Sequence, residues 1–268
     1  MKKSQLTAVY ITSSALVLTV LAGCGTAATT NTTNGTTSAA SSQEPTLVMA
    51  TSADYKPYEY HDLSSGQDKI VGFDIDVANA IAKQLHFQMK IEDMDFNGLI
   101  GGLQSHRADF VIAGMTPTAE RQKSVDFSDL YYQATNVVLT KKGTNVASLN
   151  DLSGKKVAAQ LGSVQETAAK SIPGAKVDSI NSIPTVVQEV VTNRADAAII
   201  ENTVAAGYVK NNPNLQINTI AGITANGSAI AFPKNSPWTT KFNSAIQTLK
   251  SDGELQQLIT KWFGAQSN

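Results

Sequence analysis

A single cysteine, three histidines and a formal charge of -1 remove much chemistry before any motif is sought. With Cys24 alone, no disulfide can form within the chain, so the core must hold the fold unaided. His61, His86 and His106 are scattered, with none at metal-ligand spacing or beside a nucleophile. There is also no P-loop and no G-x-G-x-x-G. Catalytic residues, metals and cofactors are therefore not expected. Basic and acidic residues nearly balance, and loss of Lys2 and Lys3 with a leader brings the charge to -3. Without a basic stripe or interleaved aromatics, nucleic acid is not an expected partner.

A long apolar run is missing too. MKKSQLTAVYITSSALVLTVLAGC opens with two lysines, continues in a weakly apolar stretch and reaches small residues before Cys24. That is the layout of an export leader, and the stretch is too short and too rich in Ser and Thr for a membrane span. Leu21-Ala22-Gly23-Cys24 resembles a bacterial lipobox, which implies cleavage before Cys24 and lipidation of that residue. Residues 1–23 are thus expected to be a lipoprotein signal peptide, and residues 24–45 the lipidated cysteine and a tether. From Gly25 to about Gln43 there is no charge and no large apolar residue, so this tract cannot offset its own chain entropy by burial. About 220 residues remain, enough for a core without staples.

From Thr46 short apolar runs alternate with helical patterns. Strands are expected at Thr46–Thr51, Phe87–Ile91, Asp109–Ala113 and Asn136–Thr140, with helices over Phe73–Leu85 and Phe96–Gln104. The grammar restarts after Lys141-Lys142-Gly143, with strands at Lys156–Gln160, Ala175–Ile180 and Asp196–Ile200 and helices at Ser163–Lys170 and Ile183–Asn193. Ser228–Phe232 is one more strand, and Ser236–Phe263 is mostly helical with a turn at Asp252-Gly253. Two α/β units with largely parallel sheets are the economical reading. An internal echo supports the division: Arg107-Ala108-Asp109 and Arg194-Ala195-Asp196 each lead from a helix end into a buried strand. Ala113-Gly114 and Glu201 then lie just past the carboxyl ends of equivalent strands, where open α/β sheets bind ligands.

Three tyrosines, Tyr55, Tyr58 and Tyr60, crowd the connection after the first strand, fit either to wall a pocket or to pack beneath a loop. In Ala113-Gly-Met-Thr-Pro-Thr-Ala-Glu-Arg121, Pro117 fits the first position of a helix capped by Thr116, with Thr118 as the other candidate cap. Arg121 then stands near the positive end of a helix dipole, where a cation is least welcome. It is either a solvated surface charge or one half of an anion site, its planar fork suited to a carboxylate. Glu201 precedes a helix and serves either as a cap or as a receiver for an ammonium. Together the two charges would suit a zwitterion held across a cleft.

Several stretches carry a resemblance. Ser52-Ala-Asp-Tyr-Lys-Pro-Tyr-Glu-Tyr60, Val71-Gly-Phe-Asp-Ile-Asp-Val-Ala78, Phe96-Asn-Gly-Leu-Ile100, Ala113-Gly-Met-Thr116 with Glu120-Arg121, Val125-Asp-Phe-Ser-Asp-Leu-Tyr-Tyr132, Leu152-Ser-Gly-Lys-Lys-Val157 and Lys261-Trp-Phe-Gly264 stand in family order. The chain resembles an extracellular solute-binding protein of family 3, the receptor component of polar amino-acid ABC transporters. The resemblance implies an α/β, two-lobed, periplasmic-binding-protein-like type II fold with two hinge crossovers. Residues 46–139 plus 228–268 would form lobe 1 and residues 143–225 lobe 2, with hinges near 140–142 and 226–227.

The implied roles follow position by position. Arg121 takes the ligand carboxylate, assisted by Thr116 and the backbone around Gly114, with a donor from Ser163 of the other lobe. Glu201 stands where the family has an acidic residue, often Asp, for the ammonium. Tyr55 and Phe96 sandwich the ligand side chain. Many relatives carry an aspartate at the position of Ser52, and Asp54, Glu59 or Asp95 are the candidates to replace it. Arginine and glutamine are comparably plausible ligands. The implied whole is a monomeric receptor, lipid-anchored to the outer face of the bacterial cell membrane, that delivers a free L-amino acid to an ABC permease. A cyclohexadienyl-dehydratase-like enzyme on the same scaffold and a sensing lipoprotein without a transporter are the rivals.

Overall fold

The computed structural model describes residues 44–220, 223 and 227–264. The expected leader, Cys24, nearly all of the tether and residue 226 of the expected second hinge lie outside them.

The first sheet is built mainly by the N-terminal half. β1 (Thr46–Thr51) is almost wholly buried, as its unbroken apolar run requires, and a small hairpin sheet follows it: β2 (Asp54–Tyr55), β3 (Glu59–Asp62) and β4 (Lys69–Val71). α1 (Phe73–Leu85) buries Phe73, Ile75, Val77, Ala78, Ile81 and Ala82 and stops at His86, whose left-handed conformation returns its N–H to the Ala82 carbonyl. β5 (Gln88–Asp93) then pairs parallel to β1, and a 3-10 turn at Phe96–Gly98 leads into α2 (Leu99–Gln104). β6 (Phe110–Val111) joins the other side of β1, also parallel. A four-residue helix, α3 (Ala119–Gln122), precedes β7 (Val125–Tyr132).

The second sheet holds β8 (Asn136–Lys141), β9 (Lys156–Gln160), β10 (Lys176–Ile180), β11 (Ala197–Glu201) and β12 (Leu215–Asn218), with α4 (Val164–Lys170), α5 (Ile183–Val191) and α6 (Asn202–Asn211) between strands. The chain then returns: β13 (Ser228–Pro233) inserts between β6 and β7 in the first sheet, followed by α7 (Trp238–Ser251) and α8 (Glu254–Phe263). Phe242 of α7 packs with Phe87, Phe110 and Phe232, while Lys261 and Trp262 of α8 both donate to Asp76 Oδ2 at 2.7 Å. These contacts fasten the C-terminal helices to the first sheet.

The strand orders are β5-β1-β6-β13-β7 and β10-β9-β11-β8-β12. In each, three parallel strands are followed by an antiparallel one, β13 or β8, so both sheets are mixed rather than largely parallel. An antiparallel strand in that place lets the chain leave one sheet and enter the other without a helical crossover. β8 pairs over Asn136–Thr140 with β11 and over Val138–Lys141 with β12, which puts residues 136–139 in the second sheet instead of lobe 1. The first crossover therefore lies before Asn136, at residues 133–135, and not at the basic Lys141-Lys142 step.

The Arg-Ala-Asp echo has a structural basis. Asp109 Oδ2 accepts from Val48 N–H at 2.7 Å, and Asp109 N–H donates back to Val48 O at 2.8 Å. Asp196 does the same with Lys156, at 2.8 Å each way. In each sheet the aspartate begins the strand that delivers a cleft residue and clips it to its parallel neighbour.

Candidate functional site

Two small adjoining cavities, about 20 Å³ each, lie between the two sheets. Tyr55, Gly114, Thr116 and Gln165 line both; Phe96, Arg121, Gln160 and Val164 complete one wall set, and Tyr58, Asn136, Glu201 and Ser228 the other. Six of the seven expected binding residues are thus brought together: Tyr55, Phe96, Gly114, Thr116, Arg121 and Glu201.

Arg121 is anchored differently from expectation. Thr118, not Thr116, caps α3 by accepting from Arg121 N–H at 3.2 Å, and α3 has only four residues, so it carries little dipole. What holds the guanidinium is backbone: Nη1 donates to Thr116 O at 2.7 Å and Nη2 crosses to Gly162 O at 2.9 Å. Its carbon lies 5.3 Å over the Phe96 ring. Burial lowers its pKa to about 10, and no ion pair to Arg121 is formed among the described residues. A largely desolvated cation held only by neutral carbonyls retains most of its unmet electrostatic demand.

Glu201, 5% exposed, ends β11 and caps α6, accepting from Thr203 N–H at 3.0 Å and from its hydroxyl at 2.7 Å. Burial raises its pKa, and the Thr203 contacts oppose that rise. The cap geometry leaves the carboxylate in the wall of the second cavity, so capping and cleft exposure coexist.

Gly114 follows β6 with a φ of 54°, which favours glycine, and an added Cβ would come within 3.0 Å of the Tyr55 ring. Its N–H donates to Asp74 Oδ2 at 2.7 Å and is not free for a ligand. Tyr131 donates to the same oxygen at 2.8 Å. Behind Asp74 sits Glu59, 0% exposed, whose oxygens and Asp74 Oδ1 find no N–H or O–H donor among the described residues. Burial, and the Asp74 carboxylate next to it, push the Glu59 pKa well above the usual carboxylate range, which favours its protonated form beside Asp74. Asp74 itself is raised to about 6 by burial.

Ser163 does not reach the cavities. Its hydroxyl donates to Gln160 O at 2.7 Å and accepts from Glu166 N–H at 3.0 Å, the ordinary work of a helix cap at the start of α4. Ser52, Asp54, Glu59 and Asp95 line neither cavity. Asp95 accepts from Asn181 Nδ2 at 2.8 Å and Asp54 from Ile183 N–H at 2.9 Å, both across the cleft. Gln160, Gln165 and Asn136 were not anticipated. Gln165 donates to Asn136 at 2.8 Å, while Gln160 ends β9 as Glu201 ends β11, so the carboxyl-end rule applied to every strand would have found it.

The comparisons agree with this architecture. Residues 47–265 match the model of bacterial extracellular solute-binding proteins, family 3. The arginine-binding extracellular protein ArtP of Bacillus subtilis is 49% identical over 222 residues, 81% of this chain and 86% of ArtP. An ancestral arginine-binding protein bound to arginine superposes with a TM-score of 0.78 at 41% identity, over 83% of this chain and all of that one. AbpA of Streptococcus pneumoniae, an amino-acid ABC transporter substrate-binding protein bound to L-arginine, gives 0.78 at 37%, over 83% and 96%. The chain belongs to the bacterial extracellular solute-binding proteins of family 3. Its fold is the two-lobed type II arrangement, and it is a transport binding protein rather than an enzyme.

Proposed function

We propose that this protein binds a free L-amino acid with a cationic side chain, arginine foremost, between its two lobes and hands it to an ABC importer. The observation that carries the reading is Arg121, a desolvated guanidinium without a carboxylate, set on the rim of a cleft whose facing lobe supplies the buried carboxylate of Glu201. A ligand carboxylate replaces the Gly162 carbonyl at Arg121, and the ligand ammonium sits toward Glu201. Tyr55 and Phe96 flank the side chain, with Thr116 beside the carboxylate. Because the cleft holds only about 20 Å³ in each cavity, the lobes must part to admit the ligand and then re-close on it.

A cationic side chain is favoured because arginine is what the similar ArtP, the ancestral protein and AbpA are described as binding. Cys24 is the lipid anchor in this reading, residues 24–45 the tether, and the protein acts as a monomer beside its permease.

The test is thermal stabilisation of the ligand-stripped protein against a panel of all common amino acids. Stabilisation grows with ligand concentration over Kd, so one scan ranks candidates. Arginine is expected to give the largest rise, lysine and histidine less. A panel with no rise, or one led by an acidic amino acid, contradicts the proposal.

A further inference from the structure

α5 begins at Ile183 behind Ser182, which stands in the cap position in extended conformation but makes no capping hydrogen bond to the helix. The missing acceptor comes from the other lobe. Asp54, on β2 of the hairpin sheet, accepts from Ile183 N–H through Oδ2 at 2.9 Å; burial raises its pKa, and this bond opposes the rise. Two residues earlier, Asn181 donates to Asp95 Oδ2 at 2.8 Å. Two carboxylates of the first lobe therefore hold Asn181 and Ile183 of the β10–α5 turn in the second. Neither carboxylate lines the two cavities walled by Arg121 and by Glu201.

We propose that Asp54 and Asp95 form a ligand-independent latch, in which Asp54 caps α5 in trans and so favours the closed arrangement of the lobes. A carboxylate at a helix N-terminus satisfies a free N–H and opposes the positive end of the dipole. Here the benefit exists only while the lobes are shut, because donor and acceptor belong to different lobes. The latch therefore acts on the closing equilibrium. By raising the population of the binding-competent form it tightens every ligand by one common factor, without choosing among them. This differs from a role for Asp54 in recognising a ligand cation, which would tighten only cationic ligands.

The inference rests on the receptor reading above, and its test separates the two. Affinities of the wild type, Asp54→Ala, Asp54→Asn and Asn181→Ala are measured by calorimetry for arginine and glutamine, and the interlobe distance of each ligand-free protein by fluorescence energy transfer between dyes on the two lobes. Asp54→Ala is expected to weaken both ligands by the same factor, on the order of tenfold for a lost cap, and to lower the closed fraction without ligand. Asp54→Asn keeps a capping acceptor and stays within about threefold of wild type for both, since asparagine caps as well as aspartate. Asn181→Ala, on the facing lobe, repeats the uniform loss on a smaller scale. Loss of arginine affinity alone, above all in Asp54→Asn, overturns the latch and makes Asp54 a specificity residue. Unchanged affinities in Asp54→Ala with an unchanged interlobe distance also overturn it. If the wild type binds no amino acid, the receptor reading fails, yet the ligand-free distances still decide the latch.

Discussion

Arg121 of the first lobe donates from Nη2 to the carbonyl of Gly162 in the second, 2.9 Å away, so the cation spans the cleft before any carboxylate reaches it. Gly162 permits that approach: its φ is 77°, and an added Cβ would lie 3.1 Å from Asn97 of the first lobe. In the proposed complex a ligand carboxylate replaces this neutral carbonyl with a charged, bidentate acceptor at the same guanidinium, and charge-assisted bonds are roughly twice as strong. Arg121→Ala is therefore expected to weaken amino-acid binding at least about thirtyfold, the low end of the cost of truncating one partner of a desolvated charge pair. Calorimetric titration checks this, and an affinity near that of wild type would remove Arg121 from the site.

Glu201 caps α6, and the proposed function adds a ligand ammonium to its partners. Glu201→Gln keeps one oxygen for the Thr203 N–H and places an amide donor against the Thr203 hydroxyl, which turns to accept, but it loses the charge. The ligand-free melting temperature should hold or rise, because a buried charge is removed, while affinity for amino acids falls at least about tenfold as an ammonium loses its counter-charge. A variant that binds normally would leave Glu201 as a cap alone.

The Glu59–Asp74 pair predicts a pH dependence of stability. Asp74 is raised from 3.8 to about 6, chiefly by burial, so the folded state holds this proton more tightly than the unfolded chain. Stability from this group is present below pH 3.8 and is lost as pH rises through about 6. Glu59, whose pKa burial and the neighbouring Asp74 raise well above the usual carboxylate range, adds a loss of the same sign as pH rises. Glu59→Gln keeps a donor toward Asp74 with no proton to release. Thermal denaturation at pH 4.5 and at neutral pH should show the variant gaining on wild type as pH rises, and a variant that instead falls further behind contradicts the pairing.

The two clipping aspartates should behave alike. Asp109→Ala and Asp196→Ala each remove a carboxylate that accepts a strand N–H at 2.7 and 2.8 Å, and each should cost up to about 1.5–3 kcal/mol of stability, the range for bonds to charged groups. Denaturant unfolding measures this. Equal stability in either variant would make the shared Arg-Ala-Asp a coincidence of sequence.

Where the chemistry of a residue is settled locally, it was legible. Thr46–Thr51 and Phe73–Leu85 coincide with β1 and α1, since a fully buried strand and an amphipathic helix write their periods into the chain. The strand-end rule led to Gly114 and Glu201. What escaped depends on partners distant in sequence. β7 has polar residues, Asp126, Ser128 and Asp129, that break alternation and are satisfied by Lys234, the Ile230 N–H and Gln247 of the returning C-terminal part. The first crossover was misplaced because β8 is an apolar run that suits either sheet, and only its antiparallel pairing assigns it. The resemblance made Ser163 a donor from the second lobe, whereas in the fold its hydroxyl bonds are spent on the α4 cap.

The most direct test of the central claim is calorimetric titration of the ligand-stripped protein with L-arginine and, separately, with agmatine, which has the same guanidinium but no carboxylate. The account predicts saturable binding of one L-arginine per chain and no measurable heat from agmatine. Absence of L-arginine binding, or agmatine binding as tightly, would contradict it.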